Sequence, residues 1–155
     1  MNIKVFWPGK TQNEHIRNLE DLYLQKIKRL AKCQVIVTKA ARGIPEKHTR
    51  RIKDIEASGL EKHIENDFVV CLSDKGKEIS SSELAEFLDR LASGPERFVT
   101  FIVGGFLGLD DRIIKRANFN LSLSRMTFSH EMSRIMLLEQ IYRSLSISKG
   151  YKYAK

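Results

Sequence analysis

Two segments, Phe68-Val69-Val70-Cys71-Leu72 and Phe98 to Val103, are almost unbroken apolar strand sequence and end in turn-forming residues. A strand with one face in water alternates apolar and polar residues, whereas a strand apolar on both faces must be covered on both. That condition is met inside parallel sheets, whose strands are joined by crossover helices. Matching signals flank both segments. Ile3, Val5 and Trp7 alternate with Asn2, Lys4 and Phe6 as a first strand, and Thr11-Gln12-Asn13-Glu14 reads as a capping box. Behind it Ile16, Leu19, Tyr23, Ile27 and Leu30 recur at helical spacing, and Cys33 to Thr38 follows as a β-branched strand. Pro45 to Ile64 reads as a charged helix with a thin stripe of Ile52 and Ile55, interrupted near Ser58-Gly59. Ser80 and Glu83 form a second capping box before Leu84, Phe87, Leu88 and Leu91. Asp110 or Asp111 opens a short helix, Leu121 to Ser124 is a fifth strand, and a long helix runs from about Ser129 to Ile147. The pattern predicts a single α/β domain over residues 1–155, with a mainly parallel sheet of five to six strands and helices on both faces. In such sheets ligands bind beyond the carboxyl ends of strands, which singles out the segments after Leu72, Val103 and Ser124.

Composition narrows the function. No apolar run approaches the roughly 20 residues of a membrane span, and the first residues are too short and polar for a signal peptide. A cytoplasmic protein is expected. Cys33 and Cys71 each lie in an apolar run without a second Cys or a His at ligand spacing, so neither metal binding nor a structural disulfide is expected. The 27 Lys and Arg against 19 Asp and Glu leave a net charge of +8. Lys39, Arg42, Lys47, Arg50, Arg51 and Lys53 lie close together, and Arg143, Lys149, Lys152 and Lys155 follow near the end. Such clusters attract polyanions, RNA among them, and equally describe a solvated face.

Three turns invite a chemical reading, and the first fails it. Gly9-Lys10-Thr11 follows a strand but has Lys4 where a phosphate-binding P-loop needs glycine. Gly104-Gly105-Phe106-Leu107-Gly108 has Gly-Gly where the dinucleotide fingerprint has Gly-x-Gly, yet it allows close backbone approach to a ligand. In Leu121 to Phe128 a strand breaks into small and polar residues, whose backbone groups can meet an adenine edge, before His130 opens the last helix. His130, Arg134, Glu139 and Arg143 then fall on that helix's polar side.

Taken together, the initial strand with its Gly-Lys turn, the Gly-Lys exit of the third strand, FIVGGFLGL and LSLSRMTFSHEMSRIMLLEQIYRSLSISKG carry a resemblance over the whole chain. The sequence resembles the ribosomal RNA large subunit methyltransferase H family of the SPOUT superfamily of α/β-knot methyltransferases. The resemblance implies that Leu72, Gly104 and Leu123, Ser124, Arg125, Met126, Thr127 and Phe128 surround S-adenosyl-L-methionine. It implies a homodimer with a shared catalytic pocket, a C-terminal trefoil knot, and methylation at N3 of a pseudouridine in 23S rRNA of the assembled 70S ribosome. With such a substrate, His130, Arg134 and Tyr153 are expected to position the base and Lys152 or Lys155 to meet RNA phosphate, and the basic cluster adds Arg50 and Arg51 as further phosphate contacts. The family usually closes with Tyr-His and a basic residue; this chain closes with Tyr153-Ala154-Lys155. Two other readings fit the residues: a ribosome-binding module that has lost the chemistry, and an enzyme of the same fold with a different RNA target.

Overall fold

The computed structural model describes residues 1–64, 67–95 and 98–152. Five strands and five helices alternate as β1 (Asn2–Pro8), α1 (Glu14–Lys28), β2 (Lys32–Thr38), α2 (Thr49–Glu61), β3 (Phe68–Glu78), α3 (Ser81–Ala92), β4 (Val99–Ile102), α4 (Asp111–Arg116), β5 (Phe119–Ser122) and α5 (His130–Ser148). They form one sheet in the order β2-β1-β4-β3-β5, and every pairing is parallel.

Both faces are covered, as the unbroken apolar strands demand. On one face Val70, Val99 and Phe101 pack with Ile27 of α1, Leu84 and Leu88 of α3, and Leu137, Leu138, Ile141 and Leu145 of α5. On the other, Phe6, Val69, Cys71 and Ile102 pack with Ala57 and Leu60 of α2 and Ile113 of α4. Phe6, placed on the polar side of β1 by the alternation, is therefore core.

Local signals hold in some places and yield in others. The Ser80–Glu83 capping box is present, with Ser80 N–H donating to Glu83 Oε2 over 2.7 Å. Asp110 caps α4 and Ser129 caps α5. Thr11 does not cap α1. Asn13 does, accepting from Ile16 N–H, while the buried Thr11 hydroxyl turns inward to Arg134 and Glu20. The charged helix is also shorter than its pattern: Pro45 leads into a 3₁₀ turn (Glu46–His48) before α2 begins. It runs through Ser58-Gly59 without a break, with Ala57 and Leu60 on either side of the pair buried against the sheet.

Candidate active site

A cleft of about 570 Å³ opens where β3, β4 and β5 end. Each strand supplies one wall, and each wall has a different local cause.

The β3 wall is an excursion from the sheet. Leu72 and Lys77 both register with Leu121 of β5, so Ser73, Asp74, Lys75 and Gly76 are extruded between them and the strand then rejoins to Glu78. Ser73, Asp74 and Lys75 face the cleft. Gly76 makes the return possible, since a Cβ there would lie 2.6 Å from the Leu121 backbone carbon. The β4 wall is a tight turn closed by Gly108 N–H donating to Gly105 O over 3.0 Å, with Gly108 at a φ of 78°. Gly104 packs on this turn: its Cβ would stand 2.6 Å from the Gly108 carbonyl carbon. The β5 wall is the irregular stretch 123–128, in which Ser122 Oγ donates to Ser124 O and Ser124 Oγ accepts from Met126 N–H, both over 3.0 Å. These side-chain bonds replace the ladder the strand has left.

The cleft gathers Leu72, Gly104, Leu123, Ser124, Met126, Thr127, Phe128 and His130, all expected from the sequence. Arg125 stands outside it, with a side chain 92% exposed and 3.8 Å from Glu78. Arg50 and Arg51 are exposed on α2, and Lys152 is exposed beyond α5, all three outside the lining. Tyr153 and Lys155, like Ala154, lie outside the described residues.

Arg134 departs from the expected polar face: it is 1% exposed. Its guanidinium donates to Thr11 Oγ1 at 2.8 Å and to the Pro8 carbonyl at 2.9 Å, and lies 5.0 Å from the Trp7 ring centroid. The helical spacing that puts it beside His130 also turns it toward the end of β1. Burial lowers its pKa, while Glu20, Glu131 and Glu56 act to hold the charge. Burial in turn raises the carboxyls of Glu20 and Glu56. Arg134 thus joins α5 to β1 and the turn after it. Glu131 adds to the joint by accepting from Gln12 and Asn13 N–H. His130 is pushed below the ordinary imidazole range, first by burial and then by the Arg134 charge. It is therefore a neutral ring at neutral pH, with one nitrogen able to accept a proton.

Asp74 and Lys75, in the segment after Leu72 that the sequence singled out, and Lys53 of the basic cluster also line the cleft, and so does Asn120, which sequence reasoning missed. Asn120 Nδ2 donates to Ile114 O over 3.2 Å, which fixes the amide, and leaves Oδ1 as a buried acceptor without a partner. The strand pattern marked Leu121 as the first residue of β5, so Asn120 fell in the preceding loop. Among the described residues no group of His, Cys, Asp or Glu could hold a metal ion, and no helix is long and apolar enough to cross a membrane.

The family described as "Predicted SPOUT methyltransferase" matches residues 1–154. The chain is 42% identical to the Ribosomal RNA large subunit methyltransferase H of Ureaplasma urealyticum and 37% identical to that of Clostridium botulinum, with all of both chains covered in each case. Among solved structures, a probable methylase family protein of Haemophilus influenzae matches 99% of this chain and 70% of its own, with a TM-score of 0.58 and 12% identity. The tRNA (m1G37) methyltransferase of Aquifex aeolicus matches 92% of this chain and 70% of its own, with a TM-score of 0.51 and 16% identity. At those identities the structures speak for the fold alone. A parallel sheet ending in this cleft, the match over residues 1–154 and the full-length relatives make the chain a member of the SPOUT methyltransferase family, alongside the ribosomal RNA large subunit methyltransferases H.

Proposed function

We propose that the chain is an S-adenosyl-L-methionine-dependent methyltransferase that modifies N3 of a pseudouridine in 23S rRNA of the assembled 70S ribosome, as a cytoplasmic homodimer. The observation that carries this reading is the cleft itself, at the ends of three parallel strands in a chain of this family. Its relatives' name, ribosomal RNA large subunit methyltransferase, supports the substrate, and the archaeal Nep1 structure bound to S-adenosylhomocysteine shares the fold at a TM-score of 0.50. The non-sequential strand order agrees with a C-terminal trefoil knot.

The residues present fit the cofactor. The orphaned Asn120 Oδ1 offers an acceptor to a hydroxyl or amine, and Gly108, where a Cβ would meet nothing within 4 Å, leaves the backbone of the β4 turn open to a ribose. Lys53 and Lys75 with Asp74 and Asp111 line the cleft, the charge types that suit an amino-acid zwitterion. S-adenosyl-L-methionine, when bound, supplies an electrophilic methyl carbon. The chain's task is alignment, in which the Gly104–Gly108 turn and the 123–128 segment hold the donor and leave the acceptor one line of approach. His130, neutral and in the cleft wall, can take the N3 proton on its free ring nitrogen.

The test is to incubate the purified protein with labelled cofactor and ribosomes from a strain lacking the gene, and to map the product. Label at N3 of a single pseudouridine in 23S rRNA is expected, and His130→Gln should slow its appearance. Sedimentation should give twice the 17.9 kDa of the chain. Label on another base or RNA, or none, would refute the assignment.

A further inference from the structure

The reaction proposed above needs something to hold the acceptor base once it has left its RNA stack, and this inference rests on that reading. Phe106 is 71% exposed, among the largest exposures of any large apolar side chain described, and belongs to neither core cluster. It is one of the two central residues of the Gly105–Gly108 turn. That turn is clamped from both sides: Gly104 packs on the Gly108 backbone, and a Cβ on Gly105 would stand 2.7 Å from Glu56 and 3.2 Å from Pro8. The ring is therefore presented to solvent by backbone that has little room to move. Two further cleft residues stand with it. His130 meets the Phe106 ring edge-on, with centroids 6.4 Å apart and planes at 89°, and Met126, 74% exposed, comes from the β5 wall. A lone exposed apolar residue needs no explanation. An aromatic ring on a fixed turn, at the rim of a cleft that also carries Lys53 and Lys75, does.

We infer that Phe106 is the stacking platform for the methyl-acceptor base, with the His130 ring standing at the base's edge. Unstacked bases are held in this way on aromatic faces, whose contact is worth about five- to 150-fold in affinity per base. Stacking also suits a reaction at a ring nitrogen, because it fixes the plane of the base and leaves its edge free toward the donor. The role requires an aromatic face and not merely an apolar surface, which separates it from a hydrophobic contact with a second copy of the chain.

The experiment compares Phe106→Ala, Phe106→Leu and Phe106→Trp in the full chain. In steady-state methylation of ribosomes, Ala and Leu should each raise KM about tenfold or more, and Trp should restore it. Sedimented mass should match the unsubstituted protein in all three, and cofactor affinity by calorimetry should shift by much less than KM, because the donor is held by the backbone of the turn. Leu working as well as Phe, an unchanged KM in Ala, or a change of mass in Ala would each overturn the inference. A second readout stands apart from methyl transfer: the added indole of Phe106→Trp should be quenched by a short uridine-containing RNA hairpin, above the signal of the buried Trp7. Should the unsubstituted protein fail to methylate ribosomes, the function proposed above falls while quenching still decides the role of residue 106. Absence of quenching would overturn that role.

Discussion

At Gly104 a single hydrogen atom decides whether the cleft exists. The residue's φ is not in the left-handed region, so conformational freedom is not the reason for glycine there. The reason is space: any Cβ would fall 2.6 Å from the Gly108 carbonyl carbon and 2.9 Å from both Gly108 Cα and Leu109 N, and backbone cannot swing aside as a side chain can. Gly104→Ala should therefore push the 105–108 turn outward and weaken cofactor binding even though alanine carries no bulk into the cleft. Titration calorimetry should show the loss in Gly104→Ala already, with Gly104→Val lower still and less stable to urea. Unaltered affinity in the alanine variant would mean that the turn can relax without disturbing the site. The sequence marked this glycine as a close-approach position, but the partner it approaches is its own turn, four residues on. Only the folded backbone could show that.

Elements are where sequence reading succeeded and failed for separable reasons. Every strand and major helix was legible, because unbroken apolar runs and 3.6-residue spacing are written locally. The order β2-β1-β4-β3-β5 was not, since the choice of neighbour belongs to the packed sheet. Nor was the extrusion of residues 73–76, which follows from β3 and β5 pairing twice at Leu121. Seven of the eight residues expected around the cofactor line the cleft, because they lie where strands leave the sheet, whereas Arg134 was placed on the polar side of its helix because helical spacing alone cannot say which neighbour fills the space above it. The start of α1 shows the same contest at higher resolution. Thr11-Gln12-Asn13-Glu14 has the letters of a capping box, but Thr11 is needed by Arg134 and Glu20, so the cap moves two residues to Asn13. The two side chains should then fail differently. Asn13→Ala removes an exposed cap and should cost about 1 kcal/mol in urea unfolding. Thr11→Ala leaves a buried guanidinium and a half-buried carboxyl each short of a partner, and should cost more, about 1–3 kcal/mol. Equal losses would mean that solvent reaches the Arg134 joint.

Over the whole molecule, the net charge of +8 admits two pictures of how it meets RNA. If a diffuse positive field does the work, basic residues anywhere on the surface contribute alike. If contact is made at the cleft, those at the carboxyl ends of the strands dominate. The fold separates these cases by placing two basic pairs at opposite ends. Arg50 and Arg51 are exposed in the first turn of α2, with Arg50 one turn of helix before Lys53, which lines the cleft. Lys28 and Arg29 lie where α1 ends, next to Lys32 at the start of β2, and so at the amino ends of the strands. Each phosphate contact releases counterions and steepens the fall of log affinity with log salt by about 0.7–0.9. Replacing Arg50 and Arg51 together with glutamine should therefore flatten the salt dependence of ribosome binding by about 1.5 units if both touch phosphate. The same exchange at Lys28 and Arg29 removes identical charge from the chain and should leave the slope where it was. Filter binding across a salt series measures both. Equal flattening by the two pairs would favour the diffuse field, and no flattening at Arg50 and Arg51 would place the α2 cluster away from RNA. Because the two double variants share the same net charge, a difference between their slopes can come only from where the charges sit.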